Sequence, residues 1–200
     1  MKTKTNQAGT LTAAGLFAAL IVVLQLFATF VKFGPVSITL ALAPIVIGGA
    51  LYGRRFAAFL GAVLGIVILI CGIFGLDGGA VMLMFEAAPL PLVLLCIGKT
   101  TVAGFVAAVF YKLMAAKGKP FAATVVAGIL CPVVNTGLFI LAMLTIWKDL
   151  LSSWAGGSNI FTYAILGLTG VNFLIELGVN LILATAITRI VRVLSHRRRS

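Results

Sequence analysis

Three polar side chains in the last apolar run of the chain have a spacing that could bind a ligand inside a membrane. Asn172, Glu176 and Asn180 lie four residues apart, so a helix stacks them on one face. The residues between them are almost all aliphatic or aromatic. A carboxylate inside a membrane helix costs roughly 2.5–3.5 kcal/mol on insertion scales. Glu176 is therefore expected to face a partner, a cavity or a ligand rather than lipid.

Polar positions also occur inside the two apolar runs that precede this one. Lys99 lies near one end of residues 92–114, and Asn135 and Thr136 lie near the middle of residues 121–147. If successive helices cross the membrane in alternating directions, these side chains and Glu176 reach similar depths. The sequence therefore predicts that polar groups from the last three helices converge in the outer half of the membrane.

Aromatic side chains in the neighbouring loops could cover the pocket that these polar groups would line. Phe85 and Trp147 lie next to the ends of apolar runs, where they would cap an apolar pocket with few polar contacts. The alternative is structural: Lys99 and Glu176 pair with each other, and the asparagines join helices by hydrogen bonds. The sequence leaves both interpretations open.

Residues that could support catalysis or bind a metal are scarce. His196 stands among arginines in the C-terminal tail, and Asp77 and Glu86 lie in a loop where they are interpreted as solvated charges. No metal-ligand spacing occurs. Residues 98–100 read Gly-Lys-Thr, as at the end of a phosphate-binding loop, but the glycine needed five positions earlier is Val93. The sequence therefore predicts no enzyme, no cofactor and no metal site.

The composition identifies the class of protein. The chain has 200 residues, of which 62% are hydrophobic and 10% are charged, whereas about a quarter are charged in soluble domains. The net charge of +11 comes from basic residues in the gaps between apolar runs, where membrane topology explains them better than nucleic-acid binding does. An all-α integral membrane protein is expected.

Six apolar runs are long enough to be membrane helices of one domain that covers residues 1–200. A run of about 20 residues spans the hydrocarbon core. Residues 75–91 contain two acids and two prolines around an apolar centre, so they are expected to form an outer loop that folds back as a lid. The predicted helices are residues 11–31, 36–52, 56–74, 92–114, 121–147 and 160–193.

The distribution of basic residues predicts the orientation. With six crossings, twelve of the 15 basic residues fall on the side of the N-terminus, so the positive-inside rule places both termini in the cytoplasm. A seventh crossing through residues 75–91 would destroy this bias. The twelve are Lys2, Lys4, Arg54, Arg55, Lys112, Lys117, Lys119, Arg189, Arg192, Arg197, Arg198 and Arg199.

Small residues recur at helical spacing in three of the predicted helices. The first helix has Ala14 and Ala18, the third has Ala57, Gly61 and Gly65, and the fourth has Ala103 and Ala107. This small-xxx-small spacing lets another helix approach closely. The expected use is packing within the chain, and the alternative is a surface for docking another membrane subunit.

Over nearly its whole length the chain resembles the substrate-binding S components of energy-coupling factor (ECF) transporters. The order and spacing of several short segments carry the resemblance. These segments are Ala14 with Ala18, residues 34–40 (GPVSITL), residues 44–50 (PIVIGGA), Asn135 with Thr136, and residues 172–177 (NFLIEL).

The resemblance implies a substrate-binding subunit for a vitamin or similar micronutrient in a bacterial cytoplasmic membrane. It implies that Ala14 and Ala18 dock on a transmembrane coupling subunit and that two cytoplasmic ATPases supply the energy. Among the family's ligands, an anionic one such as pantothenate would suit Lys99. The competing interpretation is a self-sufficient secondary transporter or channel, although the two halves of the chain do not obviously repeat, as the halves of many carriers do.

Overall fold

Helices make up almost all of the computed structural model, which describes residues 4–30 and 39–182, with side chains from residue 8 onward. No strand occurs in these ranges. The helices are α1 (Lys4–Thr29), α2 (Leu42–Tyr52), α3 (Arg54–Ile73), α4 (Ala80–Ala87), α5 (Pro89–Ala115), α6 (Pro120–Thr145), α7 (Lys148–Ala155), α8 (Ile160–Leu168) and α9 (Gly170–Ile182).

Four of these helices are long and apolar enough to cross a membrane, and the bent pair α8–α9 makes a possible fifth span. The four are α1, α3, α5 and α6, which agree with the predicted helices within a few residues at most ends. The predicted helix 36–52 is only partly present, because α2 has 11 residues in the described part. Pro44 lies in the first turn of α2, where its missing N–H does not interrupt a helical hydrogen bond.

The predicted loop of residues 75–91 contains a short helix. Asp77 fixes the start of α4, because its carboxylate accepts hydrogen bonds from the backbone N–H groups of Gly79 (3.0 Å) and Val81 (3.1 Å). Pro89 and Pro91 do not break a helix here. They lie in the first turn of α5, a position that tolerates proline.

Residues 148–159, which separate the predicted helices 121–147 and 160–193, likewise form a helix for most of their length. In α7, Leu151 and Ala155 are buried while the serines face outward. The helix ends at Gly156 and Gly157, both of which have positive φ angles of 55° and 88°. Such angles favour glycine, so the chain turns at this point.

The last predicted helix is bent and interrupted. Residues Tyr163–Leu168 form a π-helical turn, and α8 and α9 meet at an angle of 41°. The Thr169 hydroxyl donates a hydrogen bond to the carbonyl of Ala164, five residues earlier (3.0 Å), so this side chain is tied to α8 at the bend. The predicted continuation over residues 183–193 lies outside the described residues.

The helices pack most closely where α3 crosses α5. Gly61 of α3 lies directly against the backbone of Thr100, and Gly104 of α5 lies against the backbone of Ala57. Helices in lipid gain little from hydrophobic burial against each other, so this close approach supplies packing that larger side chains would prevent. Packing within the chain, predicted for the small-residue face of the third helix, is confirmed.

Two apolar clusters form the interior. One joins α1, α2, α3, α5 and α6 and includes Ile21, Leu42 and Leu60. The other lies where α4 and α7 cover the bundle and includes Met84 and Trp147. The second cluster is at the end of the bundle away from the start of α1, and it borders the polar cavity described below.

Candidate functional site

A cavity lies at this end of the bundle, between α1, α3, α5, α6 and α9. Its volume is about 70 Å³, and one water molecule needs about 10–15 Å³. Its wall combines aliphatic residues with amide, hydroxyl, carboxylate and ammonium groups. Five residues predicted from the sequence contribute to it, namely Lys99, Asn135, Thr136, Asn172 and Glu176.

Lys99 contributes the ammonium group of the cavity. Its Nζ atom lies 5.0 Å from the centre of the Phe139 ring, which is a cation–π distance. No ion pair between Lys99 and Glu176 occurs in the described part of the chain. The Lys99 charge is therefore not neutralised by direct contact with that carboxylate.

Glu176 lines the cavity, and only one of its two carboxylate oxygens has a hydrogen-bond partner in the described structure. Oε1 accepts a hydrogen bond of 2.8 Å from the backbone N–H of Thr39, and so joins the segment before α2 to α9. Oε2 is buried and has no hydrogen-bond partner in the described structure. A buried carboxylate oxygen normally has a partner, so Oε2 can accept a hydrogen bond from a ligand.

Two buried amide oxygens also lack a hydrogen-bond partner in the described structure. Gln25 Oε1 and Asn135 Oδ1 have no partner among the described residues, and both side chains line the cavity. Leaving a buried acceptor unsatisfied costs about 1–3 kcal/mol. The cavity thus suits a small molecule that supplies hydrogen-bond donors to these oxygens and a negative group to Lys99.

Three predicted binding residues lie outside the cavity wall. Trp147 is buried, and its Nε1–H donates a 2.9 Å hydrogen bond to the carbonyl of Met84 in α4. Phe85 packs partly buried against the same apolar cluster. Asn180 is buried further along α9, where its Nδ2–H donates to the carbonyl of Glu176 (2.8 Å). The first two support the cover of the cavity rather than its lining.

The structure adds polar residues that the sequence reasoning missed. Gln25 and Thr29 bring α1 into the cavity wall, and Thr39 contributes from the segment before α2. Gln25 stands alone as a polar residue between Leu20 and Ala28 in the apolar first run, which is the signal that could have revealed it.

Asp77 corrects one interpretation made from the sequence. It is only 4% exposed, lines the cavity and caps α4, so it is not the solvated charge that was expected. Glu86 is exposed, as predicted.

Ala14 and Ala18 lie at the border between the inner and outer faces of α1. Both are partly buried, and Ala14 packs against the first apolar cluster. Their neighbours Gly15 and Ala19 are exposed on the outer face. The helix therefore has two adjacent pairs of small residues. Ala14 and Ala18 face partly inward, and Gly15 and Ala19 face outward.

No group of three potential metal ligands occurs within residues 4–30 and 39–182. The cysteines in this part of the chain, Cys71, Cys96 and Cys131, are free and buried. Cys71 and Cys96 border the cavity as small apolar residues.

Comparison with known proteins supplies the family. Residues 9–188 match the model of the family described as ECF transporter, substrate-specific component. No curated protein and no solved structure matches the chain. Members of this family are substrate-binding membrane subunits that associate with an ECF module. Because the match covers most of the chain, this protein belongs to the substrate-specific components of ECF transporters.

Proposed function

We propose that the cavity binds a vitamin or similar micronutrient and that the chain delivers it to an ATP-driven ECF importer. One observation carries the proposal: Lys99 shares a buried cavity with three acceptor oxygens that have no partner among the described residues. The three oxygens belong to Gln25, Asn135 and Glu176. A purely structural cluster would satisfy these groups with one another.

The ligand that best suits these groups has a carboxylate and several hydrogen-bond donors. Its carboxylate would pair with Lys99, because charge-assisted hydrogen bonds are the stronger ones. Its donors would bind the acceptors of Asn135 and Glu176. Pantothenate meets both requirements, since it has a carboxylate, an amide N–H and two hydroxyl groups.

The proposed partners are a transmembrane coupling subunit and two cytoplasmic ATPases. The membrane arrangement proposed is the one expected from the sequence: one domain over residues 1–200, with six spans and both termini in the cytoplasm of a bacterial cell. This places the cavity at the outer end of the bundle, where a ligand arrives. The docking surface is proposed on α1, beside Ala14 and Ala18.

The test of the binding site is a pair of substitutions, Lys99→Ala and Asn135→Ala, with Lys112→Ala as the control. Lys112 is an exposed lysine in the last turn of the same helix as Lys99. Native mass spectrometry of the wild-type protein would first identify a retained small molecule, and calorimetric titration would then measure its affinity. We expect Lys99→Ala to weaken binding by about 10-fold or more, because a hydrogen bond to a charged group contributes about 1.5–3 kcal/mol. We expect Asn135→Ala to weaken binding by about 2- to 10-fold, because a neutral hydrogen bond contributes about 0.5–1.5 kcal/mol.

Unchanged affinity in both site variants would reject the cavity as the binding site. The mode of transport is tested separately with purified components in proteoliposomes. Uptake by this chain alone would identify a self-sufficient carrier. Uptake that requires the coupling subunit and ATP supports the proposal.

A further inference from the structure

A second space lies beside the cavity, on the face of the bundle where α6 meets α8 and α9. This apolar groove has a volume of about 350 Å³. Aliphatic side chains and glycine backbone form most of its wall, including Val133, Gly137, Ile140, Leu166 and Leu174. The groove is open along one side, where Leu166 and Leu174 are each 66% exposed, and its wall lacks charged groups.

The groove exists because α6 and α9 diverge. At Gly128 the two helices are close, since a side-chain carbon added there would lie 3.6 Å from the carbonyl oxygen of Asn180. At Gly137, more than two turns further along α6, an added carbon would meet nothing within 4 Å. The 41° bend at Thr169 turns α8 away from the direction of α9.

Three residues border both spaces. Thr136, Thr169 and Phe173 line the polar cavity on one side and the apolar groove on the other. The Thr169 hydroxyl already donates to the carbonyl of Ala164, so an apolar chain passing it would not leave that donor unsatisfied. The boundary between the two spaces is one layer of side chains.

We propose that the ligand of this protein is amphipathic, with a polar, carboxylate-bearing head in the cavity and an unbranched apolar tail in the groove. The inference rests on the proposed function and concerns the end of the ligand opposite its carboxylate. The tail passes between Thr136 and Phe173. A ligand that is polar at both ends, such as pantothenate, would leave the groove without a bound group.

The test uses a homologous series of N-acylglycines, from N-acetylglycine to N-octanoylglycine, titrated into the full chain in lipid nanodiscs. Each probe has a carboxylate for Lys99 and an amide N–H for the acceptors of the cavity. In the wild type we expect affinity to rise about fourfold for each added methylene until the groove is filled, which corresponds to about 0.8 kcal/mol per buried methylene. Empty nanodiscs measure partitioning into lipid.

The critical variant is Gly137→Leu, which places a side chain in the groove where the structure has open space. The matched control is Gly178→Leu on α9, which also has open space and does not line the groove. We expect Gly137→Leu to abolish the rise in affinity with chain length while N-acetylglycine binds as in the wild type. Gly178→Leu is expected to retain the rise in affinity. Val133→Phe is a second way to fill the groove if Gly137→Leu fails to fold.

Three results would overturn the inference. One is an equal dependence on chain length in the wild type and both groove-filling variants. Another is a dependence on chain length that empty nanodiscs reproduce. The third is a phospholipid retained by the wild type and lost from Gly137→Leu while the affinities for N-acylglycines do not change.

The failure of this inference is distinguishable from failure of the proposed function. If pantothenate binds and requires Lys99 while no N-acylglycine binds, the inference is wrong and the proposed function stands. If neither pantothenate nor the series binds and native mass spectrometry finds no retained small molecule, the proposed function fails as well.

Discussion

At the scale of single residues, Glu176 joins a structural role to a proposed binding role. Its Oε1 atom accepts a hydrogen bond from the backbone N–H of Thr39, and its Oε2 atom has no partner among the described residues. Thr39 is itself buried, at 6% exposure, so water does not readily replace the carboxylate as the acceptor. The side chain therefore holds the segment before α2 in place, and its second oxygen is the one proposed to bind the ligand.

The two roles of Glu176 predict different effects for two substitutions. Glu176→Gln keeps an oxygen that can accept from Thr39, whereas Glu176→Ala leaves that N–H buried without an acceptor, at a cost of about 1–3 kcal/mol. We expect Glu176→Ala to lower the unfolding temperature and to accelerate hydrogen exchange at the Thr39 amide. Glu176→Gln is expected to stay close to the wild type in both measurements. Equal exchange in the two variants would contradict this hydrogen bond.

At the scale of elements, α4 covers the cavity because Trp147 anchors it. The indole N–H donates to the last turn of α4 at Met84, and both side chains are fully buried in the second apolar cluster. Asp77 fixes the other end of the helix. The cover is thus held at both ends by hydrogen bonds to its backbone.

Trp147→Phe removes the indole donor and keeps most of the apolar contact. We expect about 1 kcal/mol of local destabilisation, as for a typical buried hydrogen bond, and faster hydrogen exchange across α4. Trp154→Phe is the control, since the described structure assigns Trp154 no hydrogen bond to α4. Exchange in α4 that is unchanged by Trp147→Phe would show that packing alone holds the cover.

The crossing of α3 and α5 depends on the absence of side chains at its centre. In Gly61→Ala the added carbon would overlap the backbone of Thr100 and Thr101, which cannot move away by a rotamer change. We expect a loss of about 1–3 kcal/mol or more, as for other overpacked interiors, measured by thermal unfolding in detergent. Gly98→Ala meets nothing within 4 Å and is expected to be neutral or stabilising. Similar stability of the two variants would contradict the close approach.

At the scale of the whole molecule, α1 is the least buried of the four long spans in the described part of the chain. Its apolar segment is 17% buried, against 33–44% for the other three long spans. Its outer face exposes Gly15 and Ala19 together with the large residues Leu16 and Leu20. Both features support the docking surface proposed on α1.

Ala19→Trp is expected to block assembly and uptake while it spares ligand binding. The bulky ring would keep a partner helix from approaching α1, yet it points away from the cavity. Leu141→Trp, on an exposed part of α6, is the control. Co-purification with the coupling subunit and uptake into proteoliposomes are the measurements. Normal assembly of Ala19→Trp would move the docking surface away from the outer face of α1. Ala14→Trp is a less selective probe, because Ala14 also packs inside the chain.

The sequence alone determined the class of protein and indicated five of the polar residues that line the cavity. Lys99, Asn135 and Glu176 could be recognised because a polar group in a membrane helix is costly wherever it has no partner, and that cost depends only on the apolar residues around it in the chain. The long spans were recognisable for the same reason. Composition and hydropathy are local properties that a single sequence displays.

The tertiary structure decided which groups meet. Glu176 and Thr39 are 137 residues apart in the chain, and no local pattern predicts that one accepts a hydrogen bond from the other. The separation of Lys99 from Glu176, the burial of Asp77 and the entry of Gln25 into the cavity depend on how the helices cross. The groove beside the cavity depends on a bend at Thr169. These distances follow from packing between segments remote in sequence, which is why hydropathy and spacing could not supply them.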